Sequence, residues 1–89
     1  MTKVSFDPAF RRAFRKRIAP SAKIRKKFDE LLPVFISNPF DPRLRTHKLS
    51  GKLDGLLSFW VDYDVRIVFY FEGEDRTVFL DIGTHDEVY

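Results

Sequence analysis

The chain has 89 residues, with 16 Lys and Arg against 13 Asp and Glu, a formal charge of +3. That length holds one domain, residues 1–89, and its 44% apolar content with 10 Phe is enough for a core and argues against disorder. With no Cys, disulfides, thiolate nucleophiles and Cys-ligated zinc or iron–sulfur sites are excluded.

The predicted elements begin with a short strand at Val4 and Phe6. Asp7-Pro8 is a helix start, because the Asp side chain can cap free backbone N–H groups and Pro suits the first turn. Phe10, Phe14 and Ile18 recur at a spacing of four and mark a buried stripe. Arg11, Arg12, Arg15, Lys16 and Arg17 lie around it, as a solvated face or as a surface for a polyanion. Pro20-Ser21 ends that helix and opens the next.

Ile24, Phe28, Leu31, Leu32, Phe35 and Ile36 give the second helix one apolar face. Pro33 lies inside it and predicts a kink or break near Leu32, since it removes a helical hydrogen bond and crowds the preceding turn. Asn38-Pro39 and Asp41-Pro42 form an irregular connection. Three strands follow with period two. Leu57, Phe59, Val61 and Tyr63 mark the first; Val65, Ile67, Phe69 and Phe71 mark the second; Val78, Leu80 and Ile82 mark the third. Residues 72–75 make the turn between the last two. The expected fold is α+β, in the order β-α-α-β-β-β, with two N-terminal helices packed on a small antiparallel sheet. Arg66 alternates with Val65 and Ile67, so its charge is expected to point to solvent or to a ligand, or to pair with Asp64.

The charge is unevenly spread. Residues 1–48 hold 13 basic against 4 acidic side chains, a net of +9; residues 49–89 hold 3 against 9, a net of −6. A basic half of this density can attract nucleic acid. The longest apolar run, Leu31 to Ile36, is far shorter than the roughly 18 residues of a membrane span. The N-terminus lacks the apolar core of a signal peptide, so a cytoplasmic protein with no membrane contact is expected. No Walker loop, dinucleotide glycine pattern, Gly-x-Ser-x-Gly or HExxH is present, and two His are too few for a His-rich metal cluster.

Three segments carry a resemblance. His47-Lys48-Leu49-Ser50-Gly51-Lys52-Leu53-Asp54-Gly55 resembles the H-x-L-x-G-x-x-x-G segment of the RelE/ParE superfamily of bacterial toxins. Asp62-Tyr63-Asp64-Val65-Arg66-Ile67-Val68-Phe69 resembles its central strand, and Asp81-Ile82-Gly83-Thr84-His85-Asp86-Glu87-Val88-Tyr89 its closing segment. The order matches over essentially the whole chain, and the His-containing ends look closest to the RelE and YafQ branch. That resemblance implies a type II toxin that cleaves translated mRNA on the ribosome, needs no cofactor or metal, and is neutralised by a cognate antitoxin. ParE relatives instead poison DNA gyrase, and an inactive relative would serve only as an antitoxin-binding module.

Metal-free RNA cleavage needs a base for the 2′-OH, cations for the phosphate and an acid for the leaving 5′ oxygen. The resemblance implies His85 and His47 as the titrating pair, Asp64 to orient a His, Arg66 on the phosphate, and Tyr89 stacked on a base or near the phosphate. Lys48 and Lys52 would act as phosphate clamps, and Arg11, Arg12 and Arg15 would face ribosomal RNA. Trp60 departs from the pattern, standing where many members carry a basic or His side chain. It can neither donate a catalytic proton nor neutralise phosphate, but it can stack on a splayed-out base or pack under a helix.

Overall fold

The computed structural model describes residues 1–89. Strand β1 (Lys3–Phe6) leads into helix α1 (Pro8–Ala13), which continues as a π-helical turn over Phe14–Ile18. Helix α2 (Ala22–Ser37) follows, then a 3-10 turn (Pro42–Leu44), the two-residue strand β2 (His47–Lys48) and a second 3-10 turn (Gly51–Leu53). Strands β3 (Leu57–Asp62), β4 (Val65–Glu72) and β5 (Arg76–Gly83) come next, and helix α3 (His85–Val88) closes the fold. The sheet order is β1-β5-β4-β3-β2. Every pairing is antiparallel except the edge pair β1–β5, which is parallel.

The helix starts are capped as the sequence indicates. Asp7 accepts a hydrogen bond from the Ala9 amide at 2.8 Å, and Ser21 accepts one from Ile24 at 3.3 Å. The first helix ends where the Ala19 amide bonds back to the Phe14 carbonyl at 2.8 Å; Pro20 has no N–H with which to continue. The break expected at Pro33 does not occur, for α2 runs unbroken through it. Pro33 and Asp29 are both exposed, so the Asp29 carbonyl that loses its partner faces water, while Phe28 and Phe35 bury the opposite side.

One face of the sheet carries Leu57, Phe59, Val61, Ile67, Phe69, Phe79 and Ile82 against Phe10, Ile18, Phe28 and Phe35 of the helical layer. Phe35 is its centre, with ring centroids 4.8 Å from Phe59, 5.0 Å from Phe69 and 5.2 Å from Phe79. On β5 the strict alternation expected of Val78, Leu80 and Ile82 fails. Val68 pairs with Asp81 but Phe69 pairs with Phe79, so Leu80 is an extra residue in a bulge, and Phe79 and Ile82 turn to the core instead. Tyr63 does not extend β3; it sits in the β3–β4 turn and is 83% exposed. No helix is long and apolar enough to cross a membrane.

Candidate functional site

Because Leu57, Phe59 and Val61 face the helices, Ser58 and Trp60 emerge on the other face of the sheet. Register adds His47, opposite Ser58, and Arg66, opposite both Trp60 and Gly83. The C-terminal segment folds onto this same face, where the Tyr89 hydroxyl donates to the Ser58 Oγ at 2.5 Å. The His85 ring meets the Tyr89 ring edge to face, with centroids 4.6 Å apart. His47, the register partner of Ser58, and His85, packed on Tyr89, thereby lie on one face of the sheet.

The two His differ in surroundings. His47 is exposed, and its Nδ1 lies 3.0 Å from the Arg45 carbonyl. A carbonyl oxygen only accepts, so Nδ1 carries the proton and Nε2 keeps the free lone pair of the neutral ring. His85 is the first residue of α3 and is also exposed; its Nδ1 has only a long contact of 3.5 Å with the Asp86 carboxylate.

Helix α3 has four residues and is held from outside. Thr84 and Glu87 form a reciprocal capping box: the Thr84 amide donates to Glu87 Oε1 at 2.7 Å and the Glu87 amide to Thr84 Oγ1 at 3.4 Å. Arg17, from the π-helical turn, lies 3.1 Å from Asp81 and 3.6 Å from Glu87, and donates to the Ile82 carbonyl at 3.1 Å. The Glu87 carboxyl is held below its usual range, chiefly by the Thr84 amide, with help from Arg17 and Lys16. Two carboxylates of the acidic half are thus paired rather than left to repel an anion.

Arg66 departs from expectation. It is 8% exposed and neither reaches into solvent nor pairs with Asp64. Its guanidinium donates to the Asp62 carbonyl at 3.2 Å and the Tyr63 carbonyl at 2.7 Å, and stacks 3.8 Å from the centre of the Trp60 ring. The reason is local: two carbonyls of the β3–β4 turn accept from the guanidinium and the indole offers a π face, which together satisfy the buried charge. The guanidinium of Arg45 lies over the same indole at 4.5 Å. Trp60 is therefore already flanked by cations and is not a bare platform for a base.

The other expected residues are spread out. Asp64 is exposed in the β3–β4 turn. Lys48 on β2 pairs with Leu57, which faces the helices, so the expected phosphate clamp lies on the opposite face from His47; Lys52 is exposed in the second 3-10 turn. Arg11, Arg12 and Arg15 are exposed on the helical layer, across the sheet from the His-bearing face. Nowhere do three or more His, Asp or Glu side chains converge as a metal-holding group.

Sequence reasoning missed Arg45 and Ser58, and it read Arg17 as part of a basic face where the structure pairs it with Asp81 and Glu87. Arg45 has a left-handed backbone, φ 53°, which nothing in its residue type announces. Ser58 is wholly buried and looks like ordinary strand alternation. The α3 helix did carry a signal, the Thr-x-x-Glu spacing of Thr84 and Glu87.

Neither a family model nor a curated protein sequence matches the chain. Solved structures do match its shape. YafQ in the DinJ–YafQ complex of E. coli superposes with a TM-score of 0.79 at 16% identity, covering 100% of this chain and 99% of that one. A copper-bound mutant toxin from Helicobacter pylori gives 0.74 at 23% identity, covering all of both chains. The YoeB–YefM complex of Staphylococcus aureus gives 0.74 at 20% identity, covering 96% and 98%. At these identities the likeness is one of fold: the chain has the α+β architecture of RelE/YafQ-type toxins along its whole length.

Proposed function

We propose that this chain is the toxin of a type II toxin–antitoxin pair and acts in the cytoplasm as a ribosome-dependent endoribonuclease on translated mRNA. The observation that carries the reading is the face shared by His47, His85 and Tyr89, on a fold otherwise found in bacterial toxins. His47 suits the base, since its free Nε2 can take the proton of the 2′-OH. The 2′ oxygen then attacks phosphorus, a 2′,3′-cyclic phosphate forms, and the P–O5′ bond breaks. His85 supplies the proton to the departing 5′ oxygen. Lys52 offsets the phosphate charge as a point cation, and Arg66 braces the floor through Trp60. The ribosome supplies the positioning that so small a surface lacks. A cognate antitoxin is the proposed protein partner.

One observation favours a non-catalytic binding module instead: the Arg66 guanidinium is committed to Trp60 and two carbonyls. A single experiment separates the two. Purified wild type and His85→Ala are dosed into a translating extract and into ribosome-free RNA, and mRNA integrity is followed. The nuclease reading expects cuts that require ribosomes and that fall by about 100-fold or more in His85→Ala. Intact mRNA at high wild-type dose overturns it.

A further inference from the structure

A groove of about 520 Å³ opens between α2, the first 3-10 turn and the end of β3. Its walls include Lys27, Arg43, Arg45, Trp60, Asp62 and Tyr63. None of the segments that resemble a known toxin motif supplies Lys27, Arg43 or Arg45. Strand β2 pairs with β3 only at Leu57 and Ser58, so beyond them no strand continues the sheet on this side of β3.

Three features give the groove a chemical preference. Its wall carries three cations against one carboxylate, Asp62. Arg43 is spent, since Asp41 holds it at 2.9 Å through both Nε and a terminal nitrogen, leaving Lys27 and Arg45 to meet an incoming anion. The groove also has planar groups. The indole of Trp60 holds the Arg45 guanidinium against one of its faces, and Tyr63 stands edge-on to that indole at 6.4 Å with its own ring 83% exposed. Nucleobases stack on both tyrosine rings and guanidinium planes. Finally, Arg45 caps the first 3-10 turn in a left-handed backbone, its amide donating to the Pro42 carbonyl at 3.3 Å. Here one residue aims its carbonyl at His47 and its guanidinium into the groove.

We infer that this groove holds a single-stranded RNA segment flanking the cut, with a base against Tyr63 and the Arg45 guanidinium and its phosphates on Lys27 and Arg45. The volume falls within the roughly 300–1,000 Å³ of small-ligand sites, which suits a nucleotide or two and not a duplex. The choice of RNA among polyanions rests on the ribonuclease reading above. Because the Arg45 carbonyl also orients His47, the groove and the cleavage face are mechanically joined: RNA seated in one presents its neighbouring phosphate to the other.

Trp60 is the sole tryptophan, so its fluorescence reports on the groove without labelling. The full chain is titrated with a short 2′-O-methyl oligoribonucleotide, which lacks the attacking hydroxyl and stays intact. A saturable change in Trp60 emission is expected. Tyr63→Ala should weaken binding about fivefold or more. Lys27→Ala should lower the slope of log affinity against log salt by about 0.7, one phosphate contact on a single strand. Both side chains are exposed, so both variants keep the fold, and Arg45→Gly, which relaxes the backbone while deleting the guanidinium, should also weaken binding. A silent Trp60 at saturating oligonucleotide, or a response only to a polyglutamate peptide, overturns the inference. The cleavage assay keeps the two readings apart. If wild type cuts mRNA while Lys27→Ala and Tyr63→Ala cut equally well, the groove assignment falls and the nuclease stands. If Trp60 responds to RNA but mRNA stays intact, the groove stands and the nuclease reading falls.

Discussion

The Tyr89 hydroxyl and the Ser58 Oγ, 31 residues apart in sequence, meet at 2.5 Å and fasten the C-terminal segment to β3. Ser58→Ala removes the acceptor, yet Tyr89 is 40% exposed and its hydroxyl can turn to water. A loss of about 0.5–1.5 kcal/mol is expected in urea unfolding. Tyr89→Phe should cost a similar amount, and the double variant little more, since both delete one bond. In the proposed nuclease, either change should lower mRNA cutting by loosening the ring against which His85 rests.

Arg17 is the second fastening. Arg17→Met keeps most of its apolar stem but loses Asp81, Glu87 and the Ile82 carbonyl together. The groups are partly exposed, so the expected cost is about 1–2 kcal/mol, below that of a fully buried charged network. Amide exchange should quicken in α3 and at Gly83 before it quickens in β4, because α3 loses its external anchor. Uniform acceleration across the sheet would contradict this.

Pro33→Ala should stabilise the protein. The substitution returns an N–H to the Asp29 carbonyl on an exposed face and removes the ring from the preceding turn, without touching Phe28 or Phe35. Helix propensity sets an upper limit of about 3 kcal/mol, and the greater freedom of Ala in the unfolded chain reduces it. A gain of about 1–2 kcal/mol in guanidinium unfolding is expected. A loss would mean that Pro33 serves the packing of α2.

Asp41 gives the acid side of the stability profile. The Arg43 side chain and backbone amide both donate to it, holding its carboxyl at about 2 instead of 3.8. A carboxyl lowered in the folded state contributes stability that is complete above its ordinary value and is lost as pH falls through the lowered one. Asp41→Asn should therefore flatten the stability profile between about pH 4 and pH 2 while leaving its shape above pH 5 unchanged. Thermal unfolding across that range measures it.

The helical half of the fold was legible because helix signals are local: Asp7-Pro8, Ser21 and the spacing of Phe10 from Ile18 each act within a turn or two. Pro33 misled for the same reason, since local chemistry forbids what the anchoring of Phe28 and Phe35 enforces. On β5 the phase slips at Leu80 because the register is set by β4, which no reading of residues 76–83 alone contains. In the candidate site, sequence could nominate His47, His85 and Tyr89 but not place them on one face, which needs β2 paired with β3 and Tyr89 bonded to Ser58. Arg66 was misread because its partners are backbone carbonyls, which leave no mark in a sequence.

The parallel pair β1–β5 sets an order of events during synthesis. The Thr2 and Thr77 hydroxyls, 75 residues apart, bond at 2.7 Å, so the earliest strand has no partner until β5 has been made and released from the ribosome. Until then Phe79 is missing from the rings around Phe35, and α1 and α2 cover an unfinished sheet. A nascent chain held short of β5 thus has neither a closed sheet nor the His85 end of the candidate site. Contacts this distant also make closure slow relative to helix formation. In the proposed toxin–antitoxin pair, the interval between leaving the ribosome and closing the sheet is the time in which an antitoxin would meet an open, apolar partner.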